Sequence, residues 1–563
     1  MKRFSLLVFA GSAVALSALL SATVSDPVRL DSGLLSGTTG ASGEVRMFRG
    51  VPYAAPPVGA FRWKAPQPAA TWEGVRAAAE YGARCYQGGA GAGRGAEPGR
   101  QGGGGRRGGA PGDQPAAAPG REDAAPPAAT ARRQGGAQAP PPGIGANQPT
   151  SEDCLFLNVW TPAKSASDRL PVMVWIHGAG LTGGSGSEPR YDGEELAKKG
   201  AVVITINYRL GPFGWLALPE LSKESGYNGS GNYGMMDALA ALQWVQKNAA
   251  AFGGDARRVT IFGESAGAFL VAGLVGSPEG RGLFHRAIAE SGGWMGMGMG
   301  NMRTLAEAQD AGAKAMAAMG ATSLADLRAK PVEDIQRDLR GAGLIIDGKY
   351  IPEDLSVTFA RGKQKDVDLM VGSNKDEGTF FGRQNATAAN FTTQSKQRFG
   401  ELADSFLKLY PASSDAEATA SSLKSFSDEA NWHMRMFAEA QAKLKKPKAY
   451  LYYFTREPVV APGQPSRGAS HTVEIAYVFR HAGSAPNGNE VDRKLEDAMA
   501  QYWVNFAAKG DPNGNGLPAW PAIKDRNSGR AMVLGDTVQP ETSPDAARLA
   551  IFDQAYTRLR SGN

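Results

Sequence analysis

The stretch VTIFGESAGAFL, residues 259–270, joins an apolar run to a glycine-rich turn and a second apolar run. The first run is typical of a buried strand and the second of a helix. A serine between two glycines at a sharp strand-to-helix turn is typical of a nucleophile. The chain has 73 glycines among 563 residues, so GESAG alone is weak evidence and an ordinary tight turn is the alternative.

Strands and helices alternate around this turn. Apolar runs predict strands, and amphipathic segments predict helices, as follows: strands at 171–177, 201–208, 257–262, 368–374 and 448–455, and helices at 234–255 and 495–510. This alternation predicts an α/β fold with a mostly parallel, doubly wound central sheet flanked by helices. Ser265 is then expected at the carboxyl edge of the sheet, where such folds bind ligands.

A serine nucleophile needs a base, an acid and an oxyanion hole. The chain has five histidines, and His471 is favoured because it lies late in the chain, among small and polar residues on a predicted loop. His285, by contrast, lies in a segment that looks helical. The stretch VGSNKDEGTFF offers Asp376 and Glu377 as the acid, and the residues alone do not choose between them. The loop WIHGAGLTGGSGS, residues 175–187, offers backbone N–H groups for an oxyanion.

Charge and composition exclude some classes of function. The net charge is +6, but the amino terminus and residues 87–149 carry most of it, the latter with seven arginines against four acids. The rest of the chain is nearly neutral, so no basic face calls for a nucleic acid. No metal-ligand cluster is visible, and we expect neither a metal nor a cofactor.

The first 25 residues resemble a secretory signal peptide, with a basic start, a short apolar run and small residues before Pro27. A membrane anchor is the alternative, but no stable membrane insertion is expected, because the run is short. We therefore predict a secreted or periplasmic protein. In such a protein the isolated pair Cys85 and Cys154 predicts one disulfide, with two buried thiols as the alternative.

Residues 87–149 are rich in Gly, Pro, Ala and Arg and contain no aromatic residue. Such a composition predicts a disordered surface insertion, because it cannot bury enough apolar surface to fold. The arginine–glycine content is also seen in RNA-binding tails, but those usually interleave aromatic residues. Residues 26–563 are thus expected to form a single domain that this insertion interrupts.

Several long motifs resemble the type-B carboxylesterases, the cholinesterase-like branch of the α/β hydrolases. They are FRGVPYAAPPVGAFRWKAPQP, SEDCLFLNVWTP, VWIHGAGLTGGSGS, NYRLGPFGWLAL, the run from NYGMMDALAAL through FGESAGA, AIAESGG, VGSNKDEGTFF, HTVEIAYVF and YWVNFAAKGDPN. The resemblance implies an α/β-hydrolase fold and the hydrolysis of small-molecule carboxylic esters through an acyl-enzyme.

The resemblance also implies roles for particular residues. These are a triad of Ser265, Glu377 and His471, oxyanion donors at Ala179, Gly180 and Ala266, a serine supporting the acid at Ser291, a disulfide between Cys85 and Cys154, and a buried ion pair of Arg62 and Glu152. The chain departs from the family's usual pattern at Ala179, where many relatives have glycine, at Thr472, where glycine is usual, and in the 87–149 insertion. We expect Ala179 to tune substrate fit.

The substrate is less defined by the sequence. Candidate pocket residues are Leu181, Trp294, Met295 and Trp432, for which ordinary core packing is the alternative. They favour uncharged, medium-sized or aromatic esters. The same machinery also suits amides, carbamates or lactones, and a non-catalytic binding protein on this fold is a more remote alternative. We expect a monomer or a weak oligomer.

Overall fold

A computed structural model describes residues 26–87, 148–444, 446–514, 516–523, 530–542 and 546–561. The predicted signal peptide and nearly all of the 87–149 insertion lie outside the described residues. Within these ranges, no helix combines the length and apolarity needed to cross a membrane.

The strands have the following bounds: β1 Val28–Arg29, β2 Leu34–Ser36, β3 Thr38–Thr39, β4 Arg46–Pro52, β5 Val75–Ala77, β6 Arg84–Cys85, β7 Thr150–Ser151, β8 Phe156–Thr161, β9 Leu170–Ile176, β10 Val202–Ile206, β11 Gly254–Glu264, β12 Arg286–Glu290, β13 Arg303–Thr304, β14 Ile345–Ile346, β15 Asp368–Asn374, β16 Ala449–Phe454, β17 Arg530–Leu534 and β18 Val538–Thr542.

The helices have the following bounds: α1 Glu194–Ala197, α2 Gly211–Trp215, α3 Pro219–Glu224, α4 Tyr233–Asn248, α5 Ala266–Gly276, α6 Leu305–Ala318, α7 Leu324–Ala329, α8 Val332–Asp338, α9 Leu355–Ala360, α10 Gly378–Phe381, α11 Ala388–Phe399, α12 Ala403–Leu409, α13 Asp415–Ala442, α14 Ile475–Val478, α15 Glu490–Lys509 and α16 Ala546–Ser561.

One large sheet organises the described residues. Its strand order is β18-β17-β16-β15-β12-β11-β9-β10-β8-β4-β3. The strands from β10 through β17 in this order are parallel, and the antiparallel strands lie toward the two edges. The predicted fold class, an α/β-hydrolase fold with a mostly parallel sheet, is confirmed.

Alternation along β9 shows how the sheet separates two cores. Val172, Val174 and Ile176 pack into one apolar cluster with helices α4, α5 and α13, whereas Met173 and Trp175 face a second cluster with α15. Both faces of the central strands are therefore buried, which is why these strands read as continuous apolar runs.

Two local expectations need correction. The segment after His285 is strand β12 and not a helix, because it lies between β11 and β15 with both faces covered. A short apolar run of this kind cannot be assigned by periodicity. Helix α4 ends at Asn248, before a 3-10 turn and the left-handed Gly253, and not at residue 255.

Candidate active site

Ser265 lies at the turn between β11 and α5. Its backbone has φ 54° and ψ −122°, a strained conformation for a residue with a side chain, and its N–H donates to the carbonyl of Glu290 over 2.8 Å. Both neighbouring glycines are required by the close passage of β9. A Cβ on Gly267 would lie 1.9 Å, and one on Gly263 2.5 Å, from the carbonyl oxygen of Ile176. The packing of β9 against this turn therefore holds the serine in place.

Glu377 and His471 meet in the buried interior beyond the end of β15. The Nδ1 atom of His471 lies 2.6 Å from Oε2 of Glu377, and Oε1 of Glu377 accepts the N–H of Asn374 over 2.9 Å. The neighbouring Asp376 accepts instead from the N–H of Ala469, over 2.9 Å. Of the two acids that the sequence left open, the structure brings Glu377 to the imidazole and uses Asp376 to hold the histidine loop.

The second nitrogen of His471 lies beside the serine turn. Nε2 is 3.0 Å from Oε1 of Glu264, the residue directly before Ser265, although the angles do not form a hydrogen bond. Burial disfavours the charged imidazole, but the carboxylates of Glu264 and Glu377 outweigh burial and raise the pKa of His471 well above its usual value. Sequence reasoning missed Glu264, although its place within GESAG was the available signal.

The loop after β9 presents free backbone donors next to Ser265. Ala179, Gly180 and Leu181 have φ values of 70°, 67° and 61°, three left-handed residues in succession. A Cβ on Gly178 would lie 3.2 Å from the Cβ of Ser265, so the loop starts in contact with the serine. No hydrogen bond to another described residue uses the N–H groups predicted as oxyanion donors, namely those of Ala179, Gly180 and Ala266.

The residues predicted to support the acid or to line the pocket have different surroundings in the structure. The hydroxyl of Ser291 is buried and has no hydrogen-bond partner among the described residues, so the support for Glu377 that the resemblance implied is not formed. Trp294 is buried against Phe269 on α5 and donates to its carbonyl over 2.9 Å, and Met295 and Leu181 are also buried. These three lie in the same apolar cluster as α5.

Trp432 is not a pocket residue. Its indole donates to Asp553 over 2.9 Å and packs on Tyr556, so it joins α13 to α16. The next residue along α13, His433, lines a cavity that sequence reasoning did not find. The ordinary core packing that was the alternative for Trp432 is what the structure shows.

This cavity has a volume of about 360 Å³, and one of its lining residues, Phe381, contacts His471. Five phenylalanines line it, and we call it the aromatic chamber: Phe381, Phe391, Phe399, Phe406 and Phe426. The ring of Phe381 lies 4.4 Å from that of His471 and stacks on Phe426 at 5.3 Å, measured between ring centroids. The position of Phe381, four residues after Glu377, was the only signal in the sequence that pointed to this cavity.

The predicted disulfide between Cys85 and Cys154 is formed, and strand β6 pairs with β7 beside it. The Nε of Arg62 donates to Glu152 over 2.6 Å, as the resemblance implied. Within the described ranges, no group of three or more histidine, cysteine, aspartate or glutamate side chains is arranged to hold a metal ion.

Comparisons with known proteins show the family to which the chain belongs. The sequence model of the carboxylesterase family matches residues 25–552. The chain is 35% identical over 541 residues to the fumonisin B1 esterase of Sphingopyxis macrogoltabida, covering 92% of this chain and 88% of that protein. It is 31% identical over 544 residues to the para-nitrobenzyl esterase of Bacillus subtilis strain 168, covering 92% and 96%. The solved carboxylesterase of Geobacillus stearothermophilus superposes with a TM-score of 0.72 at 28% identity, covering 93% and 99%.

Proposed function

Because the chain belongs to the carboxylesterase family and is a carboxylic-ester hydrolase, we propose that it cleaves esters with a triad of Ser265, His471 and Glu377. The observation that carries this proposal is the 2.6 Å contact between Nδ1 of His471 and Glu377, with Nε2 of the same ring beside the Ser265 turn. A carboxylate on Nδ1 leaves Nε2 as the nitrogen that exchanges protons with the serine.

The first half-reaction acylates the serine. Neutral His471 takes the proton from the Ser265 hydroxyl as its oxygen attacks the ester carbonyl. The N–H groups of Ala179, Gly180 and Ala266 donate to the oxyanion, and loss of one such donor typically costs about a hundredfold or more in rate. When the tetrahedral intermediate collapses, the imidazolium returns its proton to the leaving alcohol. Glu377 holds the ring and offsets its transient positive charge.

The second half-reaction releases the acid. Water enters, His471 takes its proton, and the hydroxide oxygen attacks the acyl carbonyl. The Ser265 oxygen then leaves with the proton from His471, which restores the free enzyme.

We further propose substrates of medium size that carry an alkyl or aromatic group. The aromatic chamber supports this, since its five phenylalanines offer apolar surface one ring away from His471. Two relatives, a fumonisin B1 esterase and a para-nitrobenzyl esterase, are named for organic esters, which also supports this proposal.

We also propose that the protein is exported to the periplasm or medium. The basic and apolar start of the sequence and the disulfide support this. Amino-terminal sequencing of protein recovered outside the cytoplasm should show a mature chain that begins between Thr23 and Pro27. Protein that stays in the cytoplasm with Met1 intact would contradict export.

The triad is tested with Ser265→Ala in the purified protein. We expect kcat/KM on para-nitrophenyl butyrate to fall by about 10⁴-fold or more, because the covalent intermediate can no longer form. Ser167→Ala, an exposed serine on the turn before β9, is the matched control and should retain full activity. Activity that survives Ser265→Ala but is lost in another serine variant would contradict the assignment.

A further inference from the structure

The wall of the aromatic chamber is not uniformly apolar. Arg383 and Arg398 line it, together with one acid among the described residues, Glu429. Glu429 is occupied, because its Oε1 accepts from Nη2 of Arg398 over 2.5 Å. Arg383 is exposed and makes no ion pair within the described ranges. The chamber therefore carries one positive charge that no described residue neutralises.

A buried histidine completes this polar wall. The side chain of His433 is only 9% exposed, and neither ring nitrogen has a hydrogen-bond partner among the described residues. The nearest carboxylate oxygen, Oε1 of Glu429, is 3.8 Å from Nε2, which is beyond hydrogen-bonding distance. Buried polar groups are nearly always hydrogen-bonded, so a ring aimed into a cavity without a partner indicates a ligand group.

The surrounding chain fixes this wall in place. The loop between β12 and β13 passes so close that a Cβ on Gly298 would lie 2.3 Å from Oε1 of Glu429. A Cβ on Gly300 would lie 2.8 Å from Cε1 of His433. Glycine at both positions lets the loop pack directly on the polar groups. The same loop reaches the serine turn, where a Cβ on Gly292 would lie 2.5 Å from the carbonyl oxygen of Ser265.

One ring, that of Phe381, links the chamber to the triad. Phe381 contacts the His471 ring on one side and lines the chamber on the other. A substrate of medium size can therefore have its ester at Ser265 and a second functional group in the chamber.

We infer that the chamber binds a carboxylate carried by the ester substrate, with His433 and Arg383 as its recognition residues, an inference that rests on the proposed function. An imidazole N–H and a guanidinium make charge-assisted hydrogen bonds to a carboxylate, and the five phenylalanines hold the apolar part that links it to the ester.

Glu429 does not compete for this role. Its burial favours the neutral acid, but the charge of Arg398, together with His433, lowers the pKa of Glu429 to about 2. Glu429 thus stays ionised at neutral pH and keeps Arg398 occupied, which leaves Arg383 without a carboxylate partner among the described residues. The sequence favoured uncharged esters because it revealed only the methionines and tryptophans of the site and not this wall.

Two pairs of substrates test the inference. In the first pair, the carboxylate is on the acyl side: the mono-para-nitrophenyl ester of adipic acid against the same ester with its free acid methylated. In the second, it is on the alcohol side: the butyrate ester of para-hydroxybenzoic acid against that of its methyl ester. We expect wild type to prefer the acid over its neutral partner by about tenfold or more in kcat/KM in at least one pair.

Variants assign the preference to residues. Arg383→Gln and His433→Leu should each reduce the acid-to-neutral ratio of kcat/KM by about tenfold. Arg29→Gln is the matched control, because it removes one positive charge at a site away from the chamber. Arg29 lies on β1, which contacts the 3-10 turn before β11 at the amino end of the sheet. This variant should leave the ratio unchanged. Because Arg383 is exposed, its variant is expected to fold even where His433→Leu does not.

Each outcome decides between the alternatives. Neutral esters cleaved as well as the acids, in both pairs, would overturn the inference while the proposed function stands. A preference for acids that survives both variants would overturn the roles of His433 and Arg383. If Ser265→Ala matches wild type on all four substrates, the proposed function fails and the inference falls with it.

Discussion

At the scale of single residues, the site is defined by carboxylates on both sides of one imidazole. Glu377 lies at Nδ1 of His471 and Glu264 near Nε2, and both are buried. Only Glu377 has the position of the acid in a serine-hydrolase triad. The second stabilises the imidazolium form, so it sets the pH at which His471 becomes a base.

Removing the charge of Glu264 should shift the pH profile. In the proposed mechanism neutral His471 is the base, so we expect kcat/KM to rise as the pH increases through the His471 pKa, which the two carboxylates place above its usual value. In Glu264→Gln that pKa falls, and we expect the acidic limb of kcat/KM to move to lower pH by about one unit or more. Initial rates on para-nitrophenyl butyrate between about pH 5 and 9 measure this shift.

Glu290→Gln is the matched control for this shift. Glu290 is equally buried, but its carboxylate accepts from Trp503 and not from the histidine. The acidic limb should remain where wild type has it. A limb that does not move in Glu264→Gln, or that moves equally in both variants, would contradict the role of Glu264.

Thr472 stands where the family pattern usually has glycine, and its backbone is strained in the structure. It has φ 75°, a left-handed conformation that is unfavourable for a β-branched residue by about 1–2 kcal/mol. Thr472→Gly removes this strain but adds about 0.5–1 kcal/mol of backbone entropy cost. We expect a net gain in the free energy of unfolding of about 0.5 kcal/mol, measured by urea denaturation.

Thr472→Ser keeps the Cβ and should show little or no gain. A less stable glycine variant would mean that contacts of the threonine side chain outweigh the backbone strain. Activity on para-nitrophenyl butyrate, measured in parallel, reports whether the rigid backbone next to His471 also matters for catalysis.

At the scale of elements, β12 and α15 meet through a carboxyl group that is buried without a cation. Oε1 of Glu290, the last residue of β12, accepts from Nε1 of Trp503 over 2.8 Å, while Oε2 has no partner among the described residues. Burial, aided by the charge of Glu264 and opposed by the Trp503 bond, raises the pKa of Glu290 to about 8.

This raised pKa makes stability depend on pH. Between the usual glutamate pKa and about 8, the folded chain binds one more proton than the unfolded chain, so stability falls as the pH rises through this window. Glu290→Gln cannot ionise and loses this dependence. We expect its Tm to match wild type below about pH 5 and to exceed it by about 2 °C or more at about pH 9. Differential scanning calorimetry at several pH values measures the difference.

Glu73→Gln provides the comparison, because Glu73 is exposed before β5. Its Tm should follow that of wild type at every pH. A Glu290→Gln variant that is destabilised equally at the acidic and alkaline ends of this range would show that packing, and not ionisation, governs this position.

Strands and helices were predictable from the sequence wherever their apolar residues follow one clear period. The runs that became β9, β10, β11, β15 and β16 have continuous apolar centres, because parallel strands are covered on both faces. Strand β12 was missed because its five residues, RAIAE, fit a helix equally well. Only its pairing with β11 and β15 decides its structure, and pairing is not local information.

At the scale of the whole molecule, the sequence predicted the proximity of Glu377 and His471, on which the proposed triad rests, but not the chamber. Ser265, Glu377 and His471 each follow a strand or a recognisable loop, in an order that the family pattern fixes. The chamber is assembled from α10, α11, α12 and α13, whose phenylalanines resemble ordinary helix core in the sequence. Trp432 and His433 are neighbours in the chain but face different surroundings, a distinction that requires the packed structure.

The whole chain also contains a long insertion whose two ends are anchored beside the site. The side chain of Gln87 accepts from the N–H of Gly184 and donates to its carbonyl, over 2.9 and 3.0 Å, and Gln148 accepts from Ser187 over 2.5 Å. The β6–β7 pair and the disulfide join the two ends a few residues away. These anchors contact the loop that carries the proposed oxyanion donors.

Replacing residues 90–145 with a flexible linker of about eight residues should therefore leave catalysis intact. We expect kcat/KM on para-nitrophenyl butyrate within about twofold of wild type and a Tm within about 2 °C, because every anchor is retained. The full-length Gln87→Ala variant, in contrast, loses both hydrogen bonds to Gly184 and should lower kcat more than the excision does. If the excised protein is impaired while Gln87→Ala is not, then the segment itself, and not its anchors, supports the oxyanion loop, and the insertion has a role in catalysis.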